Sequence, residues 1–461
     1  MGNNQLWLLL VTLGLILSLV ACGPKATPVV EEATPMATLT PTSMPAPSPT
    51  LGPTPTPHPL GDTVWFAARR GLNALNEDGW SIPLMDVEEI ALSADGRGQF
   101  YEDRQSGLRY LRLFDGQAWQ SQNVDYHAAK AILFDTQDHI WISLYGELRF
   151  FDGARWITYE TSEFGLTGEY ADVITGIAMD GQGWVWVSTG SGAAAFNGER
   201  WMPFDEGTGL PDEWLTGITA DGQGRIWVAH PKGISLFDGA GWQNYLFDQS
   251  IGVDEGALIA DEQGRIWVST ESGVRVLAEG QWAVYNRKNS GLASNHTTAI
   301  AIDGYGRIYV GTDYGVSIFD GASWVAYQEA TSGLADNVIT GIAISGRGPA
   351  TLPSPTEPSM GNVKGRVLLE GVPLPGARVE LCLYLKSFVS FYRSPCEGQP
   401  YQASTVTDDE GRFLFAEVPV GSYDYAIFDP EGELRWRSSG RFLDVEKGQT
   451  TIIKDANLTP E

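Results

Sequence analysis

Seven tryptophans, Trp80, Trp119, Trp156, Trp201, Trp242, Trp282 and Trp324, recur along this chain at a spacing of about forty residues. Each stands in the same local pattern. The pattern is clearest in Asp221-Gly-Gln-Gly-Arg-Ile-Trp-Val-Ala-His230, followed by Gly233-Ile-Ser-Leu-Phe-Asp-Gly-Ala-Gly-Trp242. A unit of that length, made of short β-type runs, cannot bury its apolar face alone and has to stack on copies of itself. The period is that of a propeller blade, so residues 61–346 are expected to form a seven-bladed all-β ring.

The turns inside each unit support four antiparallel strands, A to D from the hub outward. The second-strand aromatic positions are Trp65, Phe100, Trp141, Trp186, Trp227, Trp267 and Tyr309. In the last four units the preceding hairpin reads Asp180-Gly-Gln-Gly, Asp221-Gly-Gln-Gly, Asp261-Glu-Gln-Gly and Asp303-Gly-Tyr-Gly, where glycine supplies the positive φ of a tight turn. A second hairpin signal recurs as Phe114-Asp-Gly, Phe151-Asp-Gly, Phe196-Asn-Gly, Phe237-Asp-Gly and Phe319-Asp-Gly. These turns read as structural, since one carboxylate per turn offers too few oxygens for calcium. Asn337-Val-Ile-Thr-Gly-Ile-Ala-Ile344 repeats the strand that opens each blade and is expected to complete the first one, leaving no free edge.

Outside the ring the composition changes sharply. Residues 23–60 are dominated by Pro, Thr, Ser and Ala, cannot build a core, and read as an extended stalk. Residues 347–360 are a second Pro-rich stretch, read as a linker before a final segment, 361–461. With 30 basic against 57 acidic residues the net charge is −27, which argues against nucleic acid as a partner. There are three cysteines. Cys382 and Cys396 are either a disulfide pair, as an oxidising compartment would favour, or two free buried thiols.

Three segments resemble known families. Leu19-Val20-Ala21-Cys22, closing an apolar run from Leu6, resembles the bacterial lipobox. The resemblance implies a signal peptide over residues 1–22, lipidation of Cys22 and an extracytoplasmic chain tethered to the cell membrane. An uncleaved membrane helix is the alternative, although the run is short for spanning. The repeat Asp-x-x-Gly-x-Ile-Trp-Val-x-Thr-x-x-Gly-Val, with spacers such as Gly291-Leu and Gly333-Leu, resembles the two-component regulator propeller repeat. That family forms extracytoplasmic sensors that read oligosaccharides. No kinase follows here, so the resemblance carries the fold and a binding face rather than the signalling role. Val363-Lys-Gly-Arg-Val-Leu, Thr407-Asp-Asp-Glu-Gly-Arg-Phe-Leu-Phe415 and Val418-Pro-Val-Gly-Ser-Tyr423 resemble the carboxypeptidase regulatory-like domain, a small transthyretin-type β-sandwich that serves as a non-catalytic accessory.

No nucleophile elbow, zinc-protease helix or phosphate loop occurs, and the reading assigns no catalytic residue, cofactor or metal. His230 and Glu271 fall in equivalent loops of neighbouring units, which superficially resembles the streptogramin lyase arrangement, but no second histidine occupies a matching position. A binding face follows from topology instead. In an up-and-down blade the A–B and C–D turns share one side of the disc, and the B–C and D–A loops share the other. The repetitive Asp-Gly turns fall on the first side, and the unlike residues gather on the second. Candidate ligand contacts there are Arg104, Tyr145, His230, Lys232, Glu271, Tyr314 and, above all, Trp214. Trp214 fits no repeat position and could stack on a sugar ring or equally cap the hub. The resulting expectation is a non-catalytic binding or sensor lipoprotein for a glycan or cell-wall fragment. A scaffold docking another surface protein and a propeller lyase or hydrolase are the rival readings.

Overall fold

The computed structural model describes residues 60–458, apart from 86, 104–105, 115–116, 125–128, 249–257, 384–393, 395, 398 and 438–442. The lipobox cysteine Cys22, the stalk and Arg104 lie outside the described residues.

Seven four-stranded antiparallel sheets follow one another. The innermost, A strands run through Val87–Leu92, Ala131–Phe134, Ile174–Met179, Gly217–Ala220, Leu258–Ala260, Thr297–Ile302 and Ile339–Ser345. The last of these completes the first blade. It pairs antiparallel with Thr63–Ala68, with Val64 opposite Ile344 and Phe66 opposite Ile342. The closure therefore joins residues about as far apart in sequence as the ring allows, and Trp65 adds an indole N–H donated to Ser345 Oγ at 3.2 Å. All seven A strands line one axial channel of about 490 Å³, as a closed ring requires. An all-β seven-bladed propeller is the architecture.

The tryptophan period has a packing cause. Every blade places one aromatic on strand B and one tryptophan at the start of strand D, and these meet across the seam to the next blade. Trp186 stacks on Phe204 at 4.9 Å and touches Phe237 and Trp242 of the following blade. Trp267 likewise packs between Tyr285 and Phe319. Such aromatic contacts add about 0.5–1.5 kcal/mol per pair beyond the area they bury.

The strand A–B hairpins explain the remaining repeat letters. The Asp221 carboxylate accepts backbone N–H groups from Gln223 and Arg225, Nε of Arg225 at 2.8 Å, and the indole N–H of Trp227 at 3.0 Å. Asp180, Asp261 and Asp303 hold their own strand B aromatic in the same way. At Gly224, φ is +73° and a Cβ would stand 2.4 Å from Gly181 of the preceding blade, so only glycine fits.

The C-terminal segment is a sandwich of two five-stranded sheets. One is built on Met360–Leu369 and Arg412–Pro419, the other on Arg378–Cys382 and Gly421–Phe428. Their facing residues Val363, Val379, Leu381, Phe415, Tyr423 and Ile427 form the core. Cys382 and Cys396 are joined in a disulfide.

Residues 347–360, expected as a spacer, lie against the ring instead. The Thr356 and Ser359 N–H groups donate to the carbonyls of Thr331 and Ala330, each at 2.8 Å. The Tyr327 hydroxyl donates to the Pro353 carbonyl at 2.6 Å, and Leu352 packs against the apolar cluster of the first and last blades. The strip is thus held both by its own remaining N–H groups and, at Pro353, through a carbonyl that a ring hydroxyl reaches.

Candidate ligand-binding face

The B–C and D–A loops meet on one side of the disc through backbone hydrogen bonds. Gly146 N–H donates to the Asp172 carbonyl, Gly190 to Val173, Leu215 to Thr189, and Gly315 to Asn337. Loop positions are thus set by neighbouring blades and not by the loops alone. The sandwich rests on part of this side, over the last and first blades, and divides it into a covered and an open sector.

In the covered sector Tyr314, expected as a ligand contact, is only 8% exposed and belongs to the apolar core of the sandwich. Burial pushes its phenol up to about 12. The cause is connectivity: the docked strip after the closing strand returns the chain to the last blade, whose B–C loop carries Tyr314. Arg70, on the first blade's B–C loop, is ion-paired with Asp444 of the sandwich and with Asp336 at 3.2 Å. Arg69 holds the same Asp336 at 3.1 Å. Beside them lies Glu329, whose carboxyl is pushed up to about 7, first by burial and then by the charge of Asp336. A cleft of about 550 Å³ remains between ring and sandwich, lined among others by Glu271, His296, Asp313, Leu383 and Ser422.

Glu271 therefore stands with His296 and Asp313 rather than with His230. The His230 side chain, expected on the face, is fully buried. Its Nε2 contacts Ser235 Oγ at 3.0 Å, and burial pulls the imidazole down to about 4. The last residue of a second strand points into the blade, which makes His230 a core group. Lys232 is exposed, but its ammonium donates to the Pro211 carbonyl at 2.6 Å and pairs with Asp212 at 3.3 Å, bracing the D–A loop that carries Trp214.

The open sector holds the aromatic residues. Trp214 is 36% exposed and meets Tyr170, 43% exposed, edge to face with centroids 5.0 Å apart. Gly190 makes the pair fit, because a Cβ there would lie 2.6 Å from Tyr170 Cβ and 3.2 Å from Trp214 Cζ3. Tyr145 is 64% exposed. A hydrogen bond to the Asp172 carboxylate, reinforced by that charge, raises its phenol above the ordinary range. Tyr145, Tyr170 and Trp214 come from three loops of this side, linked through Asp172 and through Gly190, whose loop lies between those of Tyr170 and Trp214.

Sequence reasoning found Trp214 by its departure from the repeat. Tyr170 was not among the expected contacts, since a tyrosine in a polar loop carries no register signal. Glu329, Asp336 and Asp444 gave no signal, because their roles depend on where the sandwich docks.

No protein-family profile matches the chain, and no curated protein matches it. Among solved structures, the extracellular domain of a hybrid two component system from B. thetaiotaomicron is 12% identical, covering 86% of this chain and 66% of its own, at a TM-score of 0.41. A streptogramin B lyase is 13% identical over 58% of this chain and 87% of its own, at 0.42. Virginiamycin B lyase from Staphylococcus aureus is 14% identical over 56% and 90%, also at 0.42. Likenesses at this level assign neither a family nor an activity to this chain. The ring rests on its own strand pairing.

Proposed function

We propose that this chain is an extracytoplasmic, lipid-anchored propeller that binds a glycan or cell-wall fragment without transforming it. Cys22 is the lipid attachment point, and the segment 23–60 is the stalk that lifts the ring from the membrane. The observation that carries the reading is the pair Tyr170 and Trp214, half-exposed on the open sector with Tyr145 nearby. Flat aromatic faces beside polar loops suit the apolar faces and hydroxyl edges of sugar rings. The Cys382–Cys396 bridge supports an oxidising compartment.

The test is tryptophan fluorescence of the full chain titrated with a panel of oligosaccharides. A saturable change for at least one oligosaccharide, abolished by Trp214→Ala, is the expected result. Silence across the panel would contradict it.

A second reading has one observation in its favour. Val406, Leu414 and Ile452 are exposed around a groove on the sandwich, a surface that would suit docking to another surface protein.

A further inference from the structure

The open sector also carries a charge pattern that the glycan reading does not use. Glu169 directly precedes Tyr170, Glu213 directly precedes Trp214, and the Asp172 carboxylate lies close enough to the Tyr145 hydroxyl to raise it. Glu169 and Glu213 are exposed and Asp172 is half-buried. Among the described residues none of the three is ion-paired. The nearby cation Lys232 is already engaged by Asp212 and the Pro211 carbonyl. Among the described residues, the loops that carry Tyr170 and Trp214 thus hold exposed carboxylates next to each ring in sequence, and their neighbour Lys232 is already engaged.

Aromatic faces combined with carboxylates attract ammonium groups by two additive effects. The ring quadrupole draws a cation to its face, and the carboxylates supply Coulombic attraction and charge-assisted hydrogen bonds. The same arrangement repels uronate, sulfate and phosphate groups. We infer that the Tyr145, Tyr170 and Trp214 surface selects glycans bearing free amino groups, that is 2-amino-2-deoxy sugars, over their N-acetylated or acidic counterparts. This rests on the proposal that the open sector binds glycans and adds the chemical class of the ligand.

The experiment is isothermal titration calorimetry of the full chain with three probes: a β-1,4-linked glucosamine tetramer, its fully N-acetylated form and a galacturonate tetramer. The glucosamine tetramer is expected to bind about tenfold more tightly than the N-acetylated tetramer, with weakening as salt rises and no measurable binding of the galacturonate. The double variant Glu169→Gln with Glu213→Gln keeps the aromatic residues, and is expected to bring the first two affinities together. Trp214→Ala is expected to abolish binding of both.

Equal or tighter binding of the N-acetylated or acidic tetramer, lost in Trp214→Ala, would overturn the amine preference and leave the glycan reading standing. Glucosamine binding indifferent to the double Gln variant or to Trp214→Ala would also overturn it. Failure of the glucosamine tetramer to bind would overturn the amine preference, and the full oligosaccharide panel then decides the glycan reading. Circular dichroism and the thermal midpoint confirm that each variant is folded, and Tyr170→Ala serves in place of Trp214→Ala if that chain fails to fold.

Discussion

Arg70, a ring residue, is ion-paired with Asp444 of the C-terminal sandwich. It also donates to Ser422 of the sandwich and, with Arg69, pairs with Asp336, whose side chain is 2% exposed. One buried carboxylate therefore depends on two guanidinium groups, one of which also ties the two domains together. Breaking a buried pair from one side leaves an uncompensated charge. The double variant Arg69→Ala with Arg70→Ala should lose about 3–5 kcal/mol in denaturant unfolding. Asp444→Ala alone, at a half-exposed site, should cost no more than about 1 kcal/mol. Hydrogen exchange at Leu443–Val445 should accelerate in both. Unchanged exchange in the double variant would show that this pair does not hold the sandwich.

The hairpin aspartates make a second prediction. The Asp261 side chain is inaccessible to solvent. It accepts two backbone N–H groups, the Arg265 guanidinium and the indole of fully buried Trp267 at 2.8 Å. Asp261→Ala strands these donors, so a loss of about 3–5 kcal/mol is expected, read as a fall in the denaturant midpoint. Asp152→Ala, at an exposed strand C–D turn whose carboxylate accepts N–H groups from Ala154 and Arg155, should be much milder. Comparable losses in the two would mean that the A–B hairpins are not the special ones.

Half-buried Glu329 and buried His230 give opposite dependences on pH. Glu329 is raised from an ordinary value near 4.5 to about 7. Between those values the folded chain binds more protons than the unfolded one, so this contribution falls as pH rises from about 4.5 to 7 and is fully lost above 7. His230 is lowered from 6.5 to about 4. In that window the unfolded chain binds more protons, so its contribution is full above about 6.5 and falls as pH drops towards 4. Each shift corresponds to about 3 kcal/mol across its window. Glu329→Gln should stabilise the chain at pH 8 relative to pH 4.5, and His230→Gln should flatten the acid limb. Unfolding free energies measured from pH 4 to 8 check both signs, and a Glu329→Gln chain with an unaltered profile would contradict the first.

How much of this could be read from the sequence follows from which interactions are local. The ring was legible because each blade carries a strand B aromatic and a strand D tryptophan within one period, and the last four units add a hairpin aspartate. The closing strand was legible because Ile339–Ser345 repeats the opening strand of every other unit. The C-terminal sandwich was expected because runs such as 407–415 resemble the carboxypeptidase regulatory-like domain. The docking of the sandwich was not, since Arg70, Tyr314 and Asp444 meet only after the strip 347–360 folds back. For the same reason Tyr314 looked like an exposed loop aromatic. His230 misled for a smaller reason: it ends a strand, and whether its ring faces solvent or core depends on one residue of register. Trp214 stood out because the repeat is regular enough to make a departure visible.

The central claim is that a sugar ring sits on Trp214 and Tyr170 of the open sector. Diffraction from crystals of the full chain soaked with an oligosaccharide that alters its fluorescence tests this directly. The account predicts density for a sugar ring stacked on Trp214 within contact of Tyr170. Density in the axial channel, or in the cleft beside Glu271, with Trp214 bare would contradict it.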